Sequence, residues 1–176
     1  MKGTFRFSFG PWNIHEGADP FGPAVRATIP FNRKLAAYKE LGFDGIQFHD
    51  DDAVPEMEKL SPQQIVREAQ TLKKTLDDHG LIPEFVAPRM WFAPETIDGG
   101  YTSNCSRCRA YALERTKRTI DIANALGTHN IVLWLAREGT YIREAKDPVT
   151  ATERIAEALQ AMLDYDKNIR IMIESK

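Results

Sequence analysis

Five short apolar runs that alternate with helical patterns constrain the fold of this chain more than any other feature. The runs predict strands at residues 5–9, 45–49, 83–87, 130–135 and 169–174. A helical pattern lies between each run and the next, and it would return the chain so that every strand points the same way. The alternation therefore predicts an α/β fold with a parallel sheet.

Capping residues mark where the four predicted helices begin and end. The first helix follows Pro30 and closes at Gly42. The second begins at Ser61, followed by a proline and then by a glutamine at the third helical position, and it ends at Gly80. The third is expected over about residues 106–126, and the fourth opens at residues 147–148.

The spacing of the strands bears on the type of sheet. Strand starts recur at roughly 40 residues, which suits a (β/α)₈ TIM barrel or a doubly wound sheet. No glycine-rich phosphate loop follows the first strand, and this favours the barrel. Five strands make just over half of such a barrel, and the last would leave an apolar edge. We therefore expect residues 1–176 to be the N-terminal portion of one TIM-barrel domain, a half-barrel fragment of a longer protein.

Composition and charge argue against several classes of function. The chain is 43% hydrophobic and 27% charged, as is usual for a globular protein, and its net charge of -2 gives no basic surface for nucleic acid. No apolar run approaches the roughly 20 residues of a membrane span. The first ten residues lack the features of a secretory signal. We expect a cytoplasmic protein.

Cys105 and Cys108 form an isolated C-x-x-C pair. Such spacing is found in redox pairs at helix starts and in half of a zinc site. A second pair of ligands at metal spacing does not stand nearby in the sequence. We interpret the two residues as reduced thiols at the start of a helix.

The segment GIQFHDDD, residues 45–52, predicts a strand that ends in an imidazole and three carboxylates. Gln47 and His49 share one face of the strand, and Ile46 and Phe48 share the other. If the apolar pair meets the helices, His49 points into the mouth of the barrel. Asp52 can then turn back and accept the second imidazole N–H, which fixes the tautomer. A surface histidine followed by a solvated loop is the alternative.

The last strand also brings polar groups to the end where barrel enzymes have their active sites. Isoleucines occupy one face of residues 169–176, and Glu174 and Lys176 project together from the other face. The carboxylate could bind Mg²⁺ or Mn²⁺, and the ammonium could hold a substrate oxygen. A simple ion pair at the strand end is the alternative.

Three aromatic residues follow strands or end them, namely Trp12, Trp91 and Trp134. Indole rings in these positions can wall a small pocket and exclude water. Core packing explains any one of them equally well, but three together favour a pocket.

The chain resembles the bacterial xylose isomerase family. The resemblance rests on FSFGPWN, ADPFGPAVRAT, ELGFDGIQFHDDD, DGGYTSN and RAYALERTKRTIDIANALG, in the family's order. It implies a metal-dependent aldose–ketose isomerase that converts D-xylose to D-xylulose, or D-glucose to D-fructose, by ring opening and a hydride shift. It also implies two divalent ions, Mg²⁺, Mn²⁺ or Co²⁺, in the complete enzyme.

The resemblance further implies roles for single residues. His49 matches the histidine that assists ring opening, and Asp52 matches the aspartate that orients it. Glu174 matches a metal ligand, and Lys176 matches the lysine that contacts the O1 side of the sugar. Phe21 matches a phenylalanine that completes the site of a neighbouring subunit, which implies dimers that assemble into tetramers. The pocket aromatics of the family correspond to Trp12, Trp91 and Trp134.

The sequence also departs from the family. The remaining metal ligands of the family come from later strands, so we expect this chain to be inactive alone and not to bind both ions. Leu135 and Ala136 replace two glycines beside the last tryptophan, and Ser175 replaces a proline. The bulk of Leu135 and Ala136 beside Trp134 would reshape the sugar pocket, and this bears on the identity of the sugar rather than on isomerisation. Two alternatives are a related sugar isomerase or epimerase and a non-catalytic half-barrel that self-associates. A zinc enzyme that cuts abasic DNA is disfavoured by the charge.

Overall fold

A computed structural model describes residues 5–18 and 23–175. Five strands form one parallel sheet in the order β1-β2-β3-β4-β5. They comprise Ser8–Phe9, Gly45–His49, Ile82–Ala87, Asn130–Trp134 and Arg170–Glu174. A doubly wound sheet reverses its strand order at one point, whereas a barrel adds each strand beside the last. The sequential order is that of a TIM barrel, as predicted.

Five helices accompany the sheet: α1 Phe31–Glu40, α2 Asp50–Ala53, α3 Pro62–Asp78, α4 Ser106–Leu126 and α5 Pro148–Tyr165. Four of them are the predicted helices. The capping predicted for α3 is present, because Ser61 Oγ accepts a hydrogen bond from Gln64 N and Gln64 Oε1 accepts one from Ser61 N. Gly80 then takes a left-handed φ of 63° just beyond the helix.

Two elements differ from the sequence prediction. The first strand is shorter than residues 5–9, because β1 pairs only from Ser8, which lies beside Gly45 at the start of β2. The backbone N–H groups of Asp44 and Gly45 both donate to Phe7 O, but residues 41–44 form no strand, so the ladder does not continue before Ser8 and Phe5 and Phe7 stay 84% and 60% exposed. The second difference is α2, a single helical turn at residues for which no helix was predicted.

The apolar face of the sheet packs against the helices and forms the core. Ile46 and Phe48 of β2 are fully buried, as the alternation predicted. They belong to one cluster with side chains from helices and strands, including Leu35, Tyr38, Ile65, Leu76, Ile120, Leu126 and Ile131. Burial of this apolar surface drives the sheet and helices together.

The opposite face of the sheet carries polar side chains away from the carboxyl ends of the strands. The amide of Gln47 donates to Ser8 Oγ and to Glu84 Oε2, both at 2.8 Å. Ser8 also bonds to Glu84. In a TIM barrel this face is the interior, and the active site lies at the carboxyl ends of the strands.

No helix in the described ranges is long and apolar enough to cross a membrane.

Candidate active site

One cavity of about 450 Å³ lies where the carboxyl ends of the strands meet. Its walls come from segments that are far apart in the sequence. The residues that line it are Trp12, Asn13, His15, His49, Asp52, Phe85, Ala87, Arg89, Trp91, Val132, Trp134 and Glu174. Six of these were predicted as site residues, so the structure brings together the histidine, the aspartate, the glutamate and the three tryptophans.

The imidazole of His49 is held by Asp52. His49 Nδ1 lies 3.0 Å from Asp52 Oδ2, the contact expected from the sequence. The same oxygen accepts a longer bond of 3.4 Å from the backbone N–H of His49. This return contact exists because α2 begins directly after β2 and carries Asp52 back over the strand end. Because an ionised carboxylate can only accept, Nδ1–H is the donor of this bond, and Nε2 of the neutral imidazole keeps its free lone pair.

Two indole rings contact the imidazole, and a third packs against one of them. The ring centroids of Trp12 and His49 are 4.4 Å apart, and those of His49 and Trp91 are 5.0 Å apart. Trp91 meets Trp134 edge to face at 4.7 Å. Such stacked and edge-on pairs are favourable arrangements of aromatic rings. Together the three indole rings form an apolar wall beside the imidazole of His49, which can accept or donate a proton.

Gly10 explains how Trp12 reaches this wall. A Cβ atom at Gly10 would lie only 2.2 to 2.4 Å from three atoms of the Trp12 ring. The indole therefore lies directly over the backbone at position 10, and only glycine leaves the space. The glycine of the F-x-F-G-x-W motif thus serves the placement of the tryptophan.

Arg89 is a site residue that sequence reasoning missed. It follows β3 by two residues, and its Nε and Nη2 atoms donate to Asp51 Oδ1 at 2.7 Å and to Asp52 Oδ1 at 3.0 Å. The sequence indicated a role for Arg89 only through its position after the end of a strand, and several neighbouring residues also follow that strand. His15 and Asn13 were missed too, although the structure places both on the cavity wall.

The first of the three consecutive acids has a different partner. Asp50 is fully buried and accepts bonds from Arg115 Nε at 2.7 Å and Arg115 Nη2 at 2.8 Å. Thr119 Oγ1 adds a third bond, at 3.3 Å. The run of acids is therefore neither a solvated loop nor one metal site, since each of the three carboxylates accepts hydrogen bonds from Arg89, from Arg115 or from both.

Burial and neighbouring charges move the two other carboxyl groups in opposite directions. Burial and the charge of Asp50 raise the pKa of Asp51 above its ordinary value of 3.8, against the opposing charge of Arg89. Burial also acts to raise the pKa of Asp52, but the hydrogen bond from His49 and the charge of Arg89 outweigh it. The pKa of Asp52 is consequently lowered below 3.8, so Asp52 is the firmer anion of the two.

Glu174 ends β5 beside Trp134 and lines the same cavity. Within residues 5–18 and 23–175, however, no group of three histidine, cysteine or acidic side chains could hold a metal ion. A hard divalent cation needs several oxygen ligands. The described side chains therefore do not fit a divalent metal site by themselves.

The remaining sequence predictions concern Phe21, Lys176, Leu135, Ala136 and the two cysteines. Phe21 and Lys176 lie outside the described residues. Leu135 and Ala136 do not line the cavity of the tryptophans but a separate one of about 380 Å³, so their bulk does not reshape the first cavity. Cys105 and Cys108 are free thiols at the start of α4. Hydrogen bonds from Cys108 lower the pKa of Cys105, and the same contact raises the pKa of Cys108.

Solved structures with a similar fold include sugar epimerases. One is a D-psicose 3-epimerase in the presence of D-fructose, 20% identical, with a TM-score of 0.57 over 83% of this chain and 47% of the other. The IOLI protein with a zinc atom is 13% identical, with a TM-score of 0.61 over 97% and 51%. A xylose isomerase-like TIM barrel protein from Mycobacterium smegmatis in complex with magnesium is 20% identical, with a TM-score of 0.54 over 96% and 54%.

These likenesses concern the fold, and this chain spans about half the length of each of the three structures. A family model described as "Xylose isomerase-like TIM barrel" matches residues 35–176. The match runs from α1 through β5 and includes the strand ends that form the cavity. On this basis the chain belongs to the xylose isomerase-like TIM barrel family.

Proposed function

We propose that this chain forms the first five strands of a sugar isomerase or epimerase, and that the cavity at the strand ends binds the sugar. One observation carries the proposal: the rings of Trp12 and Trp91 pack against a single histidine whose Nδ1 contacts a carboxylate, and Trp134 extends this aromatic wall through its contact with Trp91. Apolar ring faces suit the C–H faces of a sugar, while a few polar groups orient its hydroxyls. The motifs shared with the xylose isomerase family support the same function.

In this proposal His49 carries out proton transfer. Its Nε2 lone pair can take the proton of the anomeric hydroxyl of a cyclic sugar, and the resulting imidazolium is stabilised by the Asp52 anion. As the anomeric C–O bond becomes a carbonyl, the bond between that carbon and the ring oxygen breaks, and the imidazolium returns the proton to the ring oxygen, which becomes a hydroxyl. The indole walls of Trp12 and Trp91 exclude water, which strengthens the interaction between imidazolium and carboxylate.

The exact reaction, isomerisation or epimerisation, is also part of the proposal. The resemblance favours isomerisation of D-xylose to D-xylulose, or of D-glucose to D-fructose. Two structural neighbours, a D-psicose 3-epimerase and a 3-keto-D-glucoside 4-epimerase from E. coli, make epimerisation the alternative. Product analysis separates them, because an isomerase interconverts an aldose and a ketose whereas an epimerase inverts one carbon.

A metal belongs to the complete enzyme in this proposal. Neighbours were crystallised with zinc or magnesium, and Glu174 would be one ligand of such an ion, with Mg²⁺, Mn²⁺ and Co²⁺ as the expected metals. The ion would polarise the sugar oxygens when bound. Lys176 would contact the O1 side of the sugar, and Phe21 would reach the site of a partner subunit in a homodimer or homotetramer.

Intrinsic fluorescence tests sugar binding directly, because the chain has three tryptophans and all of them line the cavity. We expect millimolar D-xylose, D-glucose, D-fructose or D-psicose to change the emission in a saturable way. His49→Gln should weaken that response severalfold. His79→Gln is the matched control, since His79 is the C-terminal cap of α3, does not line the cavity, and its Nδ1 lies within hydrogen-bonding distance of Thr75 O. Absence of a saturable response to all four sugars would reject the proposal.

A non-catalytic half-barrel is the second candidate, and one observation favours it. Met172 and Ile173 of β5 remain 42% and 53% exposed, and within the described ranges β5 pairs only with β4. An unpaired apolar edge strand promotes association with another chain. Sedimentation at increasing protein concentration tests this candidate: reversible self-association without any sugar response would favour it over the enzyme.

A further inference from the structure

Arg89 lies at the centre of the charges beside the cavity. Its Nε contacts Asp51 and its Nη2 contacts Asp52, so one guanidinium joins two adjacent carboxylates. Its own backbone N–H donates to Asp50 Oδ1 at 3.2 Å. The three acids that follow β2 are thus all tied to one residue from the end of the next strand.

Arg89 completes the coordination of the carboxylate that orients His49. Asp52 Oδ1 accepts a hydrogen bond of 3.0 Å from Arg89 Nη2, and Asp52 Oδ2 accepts one of 3.0 Å from His49 Nδ1. With both oxygens occupied, the carboxylate cannot rotate about its terminal bond without losing one charged contact. The direction of Oδ2, and with it the direction of the imidazole, therefore depends on Arg89.

Arg89 is itself held on its other side. The centre of its guanidinium lies 5.5 Å from the ring centroids of both Trp91 and Phe92. Its side chain is 16% exposed. In addition, β2 and β3 are in register at His49 and Ala87, which brings the two strand ends side by side. A planar cation stacked on aromatic faces is restrained in orientation as well as in position.

We propose that Arg89 is a positioning residue, which locks the Asp52 carboxylate so that His49 keeps its proton on Nδ1 and presents Nε2 to the cavity. This inference rests on the role proposed for His49. The planar fork of arginine is essential to it, because lysine offers a point charge that cannot contact both carboxylates in one fixed plane.

The other charged and titratable groups around the imidazole do not replace this contact. His15 and Glu174 line the same cavity, but no hydrogen bond joins either side chain to His49 or Asp52 within the described ranges. Asp51 contacts Arg89 and Arg115. Arg89 is therefore the cation that contacts the orienting carboxylate.

The tautomer of His49 can be measured by ¹⁵N NMR of the imidazole at about pH 8, where an ordinary imidazole is neutral. The sequence has four histidines, and the signal of His49 is assigned by its loss in His49→Gln. Variants Arg89→Met and Arg89→Lys are compared with the unmodified chain. Lys73→Met serves as the control, because it removes a cation from an ion pair with Asp77 on α3.

We expect the unmodified chain and the control to show a protonated Nδ1 and an unprotonated Nε2. In Arg89→Met both ¹⁵N signals should shift towards the Nε2–H tautomer, and Arg89→Lys should show a smaller shift in the same direction. An unchanged tautomer in folded Arg89→Met would overturn the inference. If that variant does not fold, an unchanged tautomer in Arg89→Lys overturns it.

The same experiment separates this inference from the proposed function. The tautomer is read without sugar, so an unchanged tautomer rejects the role of Arg89 even where sugars bind. Conversely, a shifted tautomer supports that role even where no sugar changes the fluorescence, in which case only the proposed function fails.

Discussion

Arg115 of α4 meets Asp50 of α2 through two nitrogen–oxygen contacts, of 2.7 and 2.8 Å. Asp50 is completely buried and the Arg115 side chain is 8% exposed. A third contact, from Arg115 Nη1 to Glu58 Oε1 at 2.7 Å, ties the same guanidinium to the segment before α3. This ion pair fixes the start of α2, and hence the position of Asp52, relative to the longest helix.

Arg115→Met should destabilise the chain strongly, because it leaves the carboxylate of Asp50 buried without its charged partner. We expect a loss of about 3–5 kcal/mol in the free energy of unfolding, measured with urea. The control Lys73→Met removes a more exposed ion pair and should cost less than about 0.5 kcal/mol. Equal effects of the two variants would contradict the structural importance of the buried pair.

Asp52→Asn should change how stability depends on pH. The folded-state pKa of Asp52 lies below its ordinary value of 3.8, so its ionised form stabilises the fold. That contribution is present above the unfolded-state pKa and is lost as the pH falls through the lowered pKa. The variant should therefore be less stable than the parent at neutral pH, and the difference should shrink as the pH falls below about 4. A difference that stays constant over that range would argue against the assignment.

Tyr38→Phe should leave stability unchanged or raise it by up to about 1 kcal/mol. The Tyr38 hydroxyl is buried and has no hydrogen-bond partner within residues 5–18 and 23–175, which is unfavourable. Burial also raises the pKa of Tyr38 to about 12. Tyr101→Phe is the matched control, because it removes a buried bond of 2.7 Å to Thr116 Oγ1 and should cost about 1 kcal/mol. Thermal unfolding that ranks the two variants in the reverse order would refute this prediction.

Gly10→Ala should displace Trp12 from the cavity. The new Cβ would overlap the indole ring at 2.2 to 2.4 Å, so the ring must leave its contact with His49. We expect a red shift of the tryptophan emission and a severalfold weaker response to sugars. Gly139→Ala is the control, since its Cβ would meet no atom within 4 Å. Unchanged emission in Gly10→Ala would show that the indole is not held in this way.

The 176-residue chain alone should not convert D-xylose to D-xylulose with Mg²⁺ or Mn²⁺. The reason is the ligand set, because the described side chains include no group of three that could hold a metal. The measurement is chromatography of the products after incubation with each ion, with a known xylose isomerase as the positive control. Detectable xylulose formed by the purified chain would overturn this expectation.

Much of the fold could be predicted because its signals are local. The alternation of Ile46 and Phe48 with polar neighbours, and the capping by Ser61, act over a few residues. The secondary-structure prediction failed where a segment distant in the sequence decides whether a strand or a helix forms. Residues 5–7 have strand-like composition, but residues 41–44, which precede β2, form no strand with which they could pair. Likewise α2 forms where Asp50 can reach a guanidinium on another helix.

The sequence by itself determined which residues end the strands, and therefore that His49, Asp52, Glu174 and three tryptophans come together at one edge of a parallel sheet. Only the tertiary structure decided the partners of the three consecutive acids. Arg89 lies 37 residues from Asp52 and Arg115 lies 65 residues from Asp50. Periodicity and capping act within one or two helical turns, whereas ion pairs across such separations form only after the packing of β2, β3 and α4 has brought their side chains within hydrogen-bonding distance.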